Sequence, residues 1–245
     1  RFEQEEERCQ RYLHPQTRGN IQEILISTLV RNYKAALCAD FPSMLEQDRA
    51  DDLARLHKYI AMAGEGTAGF ATIIKSYTLE CGHTALAQVK PSSDVDPVAF
   101  VQLLLGVYCH ISDLIEQRCA NDELLRAAFL ESYRVLVNSN NPMVKFDKKF
   151  TPESFARYVD HLLNRASGPN RQSPEETEHE IRAVVAIYGL LDDKDVFQAV
   201  HANLLAKRLV ARTSVSTDLE AMVVAGIAKA SGKESVTKME RMLKD

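Results

Sequence analysis

The segment from Asp192 to Val210, DDKDVFQAVHANLLAKRLV, constrains the fold more than any other stretch of this chain. Phe197, Val200, Leu204 and Leu205 recur at the three- and four-residue spacing that gathers side chains on one face of an α-helix. Asp192, Asp193 and Asp195 crowd its start, and Lys207, Arg208 and Arg212 its end, an order that complements the helix dipole at both poles. The segment offers no nucleophile beside a base, no metal-ligand spacing and no glycine-rich phosphate cradle. It predicts an amphipathic helix that must bury its apolar side against neighbours of the same kind.

The neighbours carry the same periodicity, so the chain is expected to be all-α. Arg1 to Leu13 reads as the end of a charged helix, broken at His14-Pro15. One helix is expected from about Gln16 to Ala39, with Ile21, Ile24, Leu25, Leu29, Tyr33 and Leu37 on one face. Asp40-Phe41-Pro42 turns the chain and Ser43 to Gln47 forms a short turn. Further helices follow over Ala50–Ala63, Ala68–Val89, from Asp96-Pro97 to Ala120, and from an Asn121 cap through Asn138. Thr151-Pro152 opens another by the same cap-and-proline logic. Ser173-Pro174-Glu175-Glu176 and Thr217-Asp218-Leu219-Glu220 read as capping boxes. Only 10 glycines and 8 prolines occur in 245 residues, as helix interiors demand. Polar stretches at Lys90–Val95, Asn138–Lys149 and Gly168–Gln172 read as loops, the second as the domain boundary. The expected architecture is a stack of periodic helices over residues 1–141 and an antiparallel helical bundle over 142–245.

The same residues exclude several functions. A net charge of −4 without a basic stripe or clustered aromatics leaves no electrostatic footprint for nucleic acid. No apolar run is read as reaching the ~20 residues of a membrane span, so no membrane is expected, and no signal peptide is seen. The five cysteines, Cys9, Cys38, Cys81, Cys109 and Cys119, are odd in number and scattered, and read as thiols in a reducing compartment. Gly64 to Gly69 spells GxGxxG, but a helical pattern precedes it and no βαβ unit surrounds it, so it reads as an interhelix loop. Cys81 with His83 and Cys109 with His110 lack the further ligands zinc requires. The aspartates at 192, 193 and 195 lack the loop glycine and terminal glutamate of a calcium site. His201 reads as a satisfied packing histidine. No catalytic residue, cofactor or metal is therefore expected. Lys207 and Arg208 are the one candidate interaction patch, beside the plainer reading of a basic pair at a helix end.

Longer patterns add a resemblance. KDVF, seven residues, then LAKRL, followed by a Ser- and Asp-containing turn and a helix with Glu220 and Met222, resembles the signature core of the cullin family. SGKESVTKMERMLKD (Ser231 to Asp245) is similar to the segment that follows in cullins. RCQRYLHPQT (Arg8 to Thr17) resembles their pattern of a long helix ending in Arg-x-x-x-Tyr-Leu before a turn. The chain departs at Gly226-Ile227-Ala228, where cullins usually carry Lys-Leu-Lys, at Ala230-Ser231-Gly232 in place of Glu-Cys-Gly, and at Leu243 in place of Phe. The YLH opening and Asn138 to Asn141 lean towards cullins that pair with F-box adaptors.

The resemblance implies a non-catalytic scaffold segment of a multisubunit ubiquitin ligase, cytoplasmic or nuclear. It implies a RING-box protein, a substrate adaptor and the cullin exchange factor as partners. It implies that residues 1–141 are the end of a preceding long helix plus a five-helix cullin-type repeat, the last of the stalk, and that 142–245 start the C-terminal four-helix bundle. On that alignment the main adaptor and RING sites and the lysine that takes the ubiquitin-like modifier fall outside the chain, so no family site residue transfers to it. The uncapped opening at Arg1 and the abrupt stop at Leu243 to Asp245 read as an internal stretch of a longer protein. The alternative is a helical protein-binding module with cullin-like architecture and no ligase role, docking through Lys207 and Arg208 or the Gly168–Gln172 loop.

Overall fold

The computed structural model of the chain describes residues 2–64, 67–89, 95–139, 149–164 and 173–244. Among these residues every named element is helical, and the one β-type pairing is an isolated bridge between Asn164 and Ser214. The chain divides into two compact units, residues 1–77 with 111–129, and residues 78–110 with 130–245.

The first unit begins with α1 (Phe2–Tyr12) and α2 (Pro15–Ile26). The single helix expected to Ala39 is interrupted. Ser27–Arg31 forms a π-helical turn in which the Asn32 N–H reaches the Ser27 carbonyl, and α3 (Lys34–Ala39) resumes after Tyr33 at φ −108°. The extra residue rotates the apolar face. Ile26 and Val30 are buried, whereas Ile24, Leu29 and Tyr33 are exposed. The stretch expected as a turn is a helix, α4 (Phe41–Glu46), because Pro42 sits in the first turn, where its missing N–H costs nothing. Phe41 of α4 stacks on Phe70, with centroids 4.4 Å apart. α5 (Ala50–Met62) buries Leu53, Leu56 and Ile60, as its spacing requires.

Three longer helices follow: α6 (Ala68–Ala87), α7 (Pro97–Arg118) and α8 (Glu123–Asn138). Asp96 caps α7 by accepting the Val98 N–H at 3.0 Å. By length and composition α7 is long and apolar enough to cross a membrane, which corrects the expectation that no run is. Its Phe100, Val101, Leu104, Leu105, Ile111 and Ile115 are buried against the protein. α8 is capped by Asp122 rather than Asn121. The Asp122 Oδ1 accepts the N–H groups of Leu124 and Leu125 at 2.9 and 3.1 Å, while Ala120 and Asn121 make the turn in the left-handed region at φ 50° and 53°.

Within the second unit α9 (Phe150–Leu163), α10 (Pro174–Tyr188), α11 (Lys194–Ala211) and α12 (Thr217–Ser231) form a bundle. α9 begins before Thr151, with Lys149 as an N-cap that makes no side-chain cap bond and Phe150 set edge-on against Phe100 at 5.2 Å. The Ser173 capping box closes on both sides, Glu176 N–H to Ser173 Oγ at 3.1 Å and Ser173 N–H to Glu176 Oε2 at 2.9 Å. Asp160 meets Arg208 and Leu163 meets Val215, so α9 and α11 run the same way. Gly226 lies against Val185 and Ser231 bonds Tyr188, so α10 and α12 also run together. Tyr188 meets Gln198 across the α10–α11 turn, which makes consecutive helices antiparallel, as expected of a bundle with short loops. A 3₁₀ turn (Lys233–Val236) and α13 (Thr237–Lys244) close the described chain. The expected loop at 168–172 and most of the Asn138–Lys149 stretch lie outside the described residues.

Candidate functional site

Lys207 and Arg208 stand in the last turns of α11, and the structure separates them. Lys207 is exposed, whereas Arg208 is 1% exposed. They therefore form no shared surface patch. The helical repeat explains the difference. Phe197, His201, Leu205 and Arg208 occupy one stripe of α11 and all four are buried, whereas Lys207 points about 100° away from Arg208.

A guanidinium inside a bundle needs counter-charges, and two helices supply them. Arg208 Nε and Nη2 donate to the Glu220 carboxylate of α12 at 2.8 Å each, a planar fork on a planar acceptor. Nη1 donates to Asp160 of α9. Glu220 is fully buried, and its Oε1 also accepts from Ser214 Oγ at 2.8 Å. Burial by itself lowers the Arg208 pKa, but the bonds and charges of Glu220 and Asp160 outweigh it and raise the value, so the group stays cationic. Glu220 was expected to complete a second capping box. Ser216, not Thr217, is the N-cap of α12, its Oγ accepting the Asp218 N–H at 3.2 Å, while Glu220 turns inward to Arg208.

The turn between α11 and α12 is held at the same place. Arg212 caps α11 in the left-handed region at φ 55°, the Thr213 N–H returns to the Arg208 carbonyl at 2.9 Å, and the Val215 N–H bonds the Leu163 carbonyl at 2.9 Å. One arginine thus ties three helices, and the backbone beside it repeats the tie.

His201, expected to be satisfied, packs without hydrogen bonds. Its ring stacks on Phe197 at 5.7 Å, it is fully buried, and neither ring nitrogen has a partner. Burial first, and the Arg208 charge second, push its pKa down to about 3, so it is neutral at physiological pH.

Among the described residues, the first unit holds a grouping with residue types that nucleophilic catalysis uses. His57 Nε2 lies 3.2 Å from Asp122 Oδ2, Thr67 Oγ1 donates to the same oxygen at 3.1 Å, and Cys119 is near enough for Asp122 to act on its charge. Burial, then Asp122, pushes the Cys119 thiol up to about 11, the wrong direction for a nucleophile. Burial also works to raise the Asp122 pKa. The bonds from His57, the Leu125 N–H, Thr67 and the Leu124 N–H overcome it and hold the carboxyl low. These groups join α5, α6 and α8 and are spent in doing so. Among the described residues no three His, Cys, Asp or Glu side chains gather to hold a metal ion. Cys81 is half-buried and His83 exposed on α6.

Asp160, Ser214 and the inward Glu220 were missed at the level of sequence. The available signal was the stripe Phe197–His201–Leu205–Arg208, which places a cation on the buried face and so demands acids opposite it.

A family model described as the cullin alpha solenoid domain matches residues 1–245. The chain is similar to Cullin-1 of Dictyostelium discoideum, at 27% identity over 247 residues, covering 100% of this chain and 32% of that protein. It is similar to Cullin-1 of Schizosaccharomyces pombe at 28% identity over 249 residues, with the same coverages. Cullin-5 of Dictyostelium discoideum is 28% identical over 251 residues, covering 100% of this chain and 33% of that protein. The chain thus spans about a third of the length of these curated relatives.

Proposed function

Because the chain belongs to the cullin family, we propose that it is a non-catalytic scaffold segment of a cullin-RING ubiquitin ligase. In this reading its parent holds a substrate-adaptor module and a RING-box subunit with its ubiquitin carrier at a fixed separation. The observation that carries the reading is a family match running through all 245 residues, from the charged helix at the start to the bundle at the end. In this reading residues 1–141 are the end of a preceding long helix plus the last stalk repeat, and 142–245 the start of the C-terminal bundle; the up-and-down order of α9 to α12 supports the second assignment. The parent works in the cytoplasm, the nucleus or both, and the family's exchange factor is a further partner.

A scaffold of this kind acts by geometry. It raises the effective concentration of substrate at an activated thioester and supplies no reacting group. The bonding of the inner polar groups supports that role. Arg208 is engaged by Glu220 and Asp160 in the second unit, and His57 by Asp122 in the first, and these bonds cross between helices. Affinity purification of the intact parent, with mass spectrometry of what accompanies it, tests the reading. A RING subunit, and a fraction of the parent heavier by one ubiquitin-like modifier, are expected. Neither, from well-folded protein, would leave a helical binding module without a ligase role.

A further inference from the structure

The corner between α10 and α11 leaves two backbone groups outside the ladders of both helices, the Leu190 carbonyl and the Asp192 N–H. One side chain satisfies both. Asn138, the last residue of α8, donates from Nδ2 to the Leu190 carbonyl at 2.9 Å and accepts the Asp192 N–H on Oδ1 at 2.9 Å. The same Nδ2 donates back to the Arg134 carbonyl at 2.9 Å, which fixes the amide's orientation on its own helix. Arg134, one turn earlier, donates to Asp192 Oδ1 from Nη2 at 2.8 Å and Nε at 3.3 Å. Val137 and Leu191, beside these bonds in sequence, are buried. In sequence Asn138 reads as the first residue of a domain boundary. In the structure it is a tie between two parts of the second unit that lie 52 residues apart.

We propose that Asn138 is a positioning residue. With Arg134 it clasps the end of α8 to the α10–α11 corner and sets the angle at which α8 meets the bundle. The clasp is directional. A lone apolar contact lets two helices slide or rotate, because dispersion is nearly isotropic. An amide that simultaneously donates to one backbone group and accepts from another two residues away admits one register and one orientation. The surface ion pair of Arg134 and Asp192 adds little by itself, since both side chains are more than half exposed. It secures the corner once the amide has placed it. The clasp stands on geometry alone. Its purpose, keeping the separation of the modules constant, rests on the scaffold reading above.

The test uses the intact parent protein, with spin labels introduced as noncanonical amino acids at the exposed positions Val135 on α8 and Asn203 on α11. Pulsed EPR then reads their distance distribution. The unaltered protein is expected to give one narrow distribution. Asn138→Asp keeps the side chain's size and its acceptor, removes the donor and sets a charge beside Asp192. It is expected to broaden the distribution at least twofold, with amide exchange at 189–193 at least tenfold faster. Arg134→Ala is expected to give a smaller broadening. An unchanged distribution in folded Asn138→Asp protein would overturn the proposal. So would loss of folding in both Asn138→Asp and Asn138→Ala, which would make the residue a determinant of folding rather than of orientation. Neither readout depends on ubiquitin transfer or on recovery of a RING subunit, so the clasp and the ligase role fail separately.

Discussion

The guanidinium of Arg208 meets the carboxylate of Glu220 through two parallel bonds of 2.8 Å, with neither side chain more than 1% exposed. Around this pair α9, α11 and α12 are brought to one point.

Arg208→Ala leaves Glu220 charged and buried with only Ser214 for company. A loss of about 3–5 kcal/mol is expected on urea unfolding, the range for breaking a buried ion pair from one side. Replacing Arg208 and Glu220 together by Met and Leu is expected to cost less than Arg208→Ala alone. Arg208→Lys does not rescue, because an ammonium cannot form the fork. An Arg208→Ala variant as stable as the unaltered protein would contradict the anchoring role of Arg208, Glu220 and Asp160.

His201 gives the chain an acid-sensitive point. Its pKa is lowered from 6.5 to about 3 in the folded protein, so below pH 6.5 the unfolded chain takes up a proton that the folded one refuses. Stability is expected to be unaffected by this group above pH 6.5 and to fall as pH drops towards about 3, by up to about 1.4 kcal/mol per pH unit. His201→Phe should flatten the pH dependence of urea unfolding between pH 6 and 4, which is the measurement to make.

Gly226 stands at one of the chain's departures from the common cullin pattern, and its neighbour explains the small residue. A Cβ at this position would fall 2.2 Å from Val185 Cγ1. Gly226→Ala is expected to destabilise by about 1–3 kcal/mol through overpacking. Val185→Ala in the same chain should recover part of that loss, a coupling that a double-mutant cycle detects.

Ala120 and Asn121 turn α7 into α8 with two successive left-handed residues, and Ala120 gains nothing from a polar side chain there. Ala120→Gly is expected to raise stability by about 0.5–1 kcal/mol, visible as an upward shift in thermal midpoint.

The helices were legible because their signals are local. The period of α5, the Ser173 box and the Asp96 cap each depend on a few consecutive residues, and each stands in the structure. What was not legible depends on contacts distant in sequence. The π-helical turn at Ser27–Arg31 leaves no mark in spacing, so the period that puts Ile21, Ile24, Leu25, Leu29, Tyr33 and Leu37 on one face misses that Ile24, Leu29 and Tyr33 are exposed while Ile26 and Val30 are buried. Glu220 has the residue type and position of a capping-box glutamate, and only the buried Arg208 opposite it decides which way it turns. Arg208 itself fits both a solvated helix end and a buried anchor. The stripe Phe197–His201–Leu205 favours the anchor, but a basic pair at a helix C-terminus is the commoner meaning of Lys-Arg.

The function proposed above has the intact protein join two modules without reacting with either. Mass photometry of the intact parent mixed with a RING-box protein and a substrate adaptor tests it most directly. One species whose mass is the sum of all three is expected. Two mutually exclusive binary complexes, or no complex with folded parent, would contradict it.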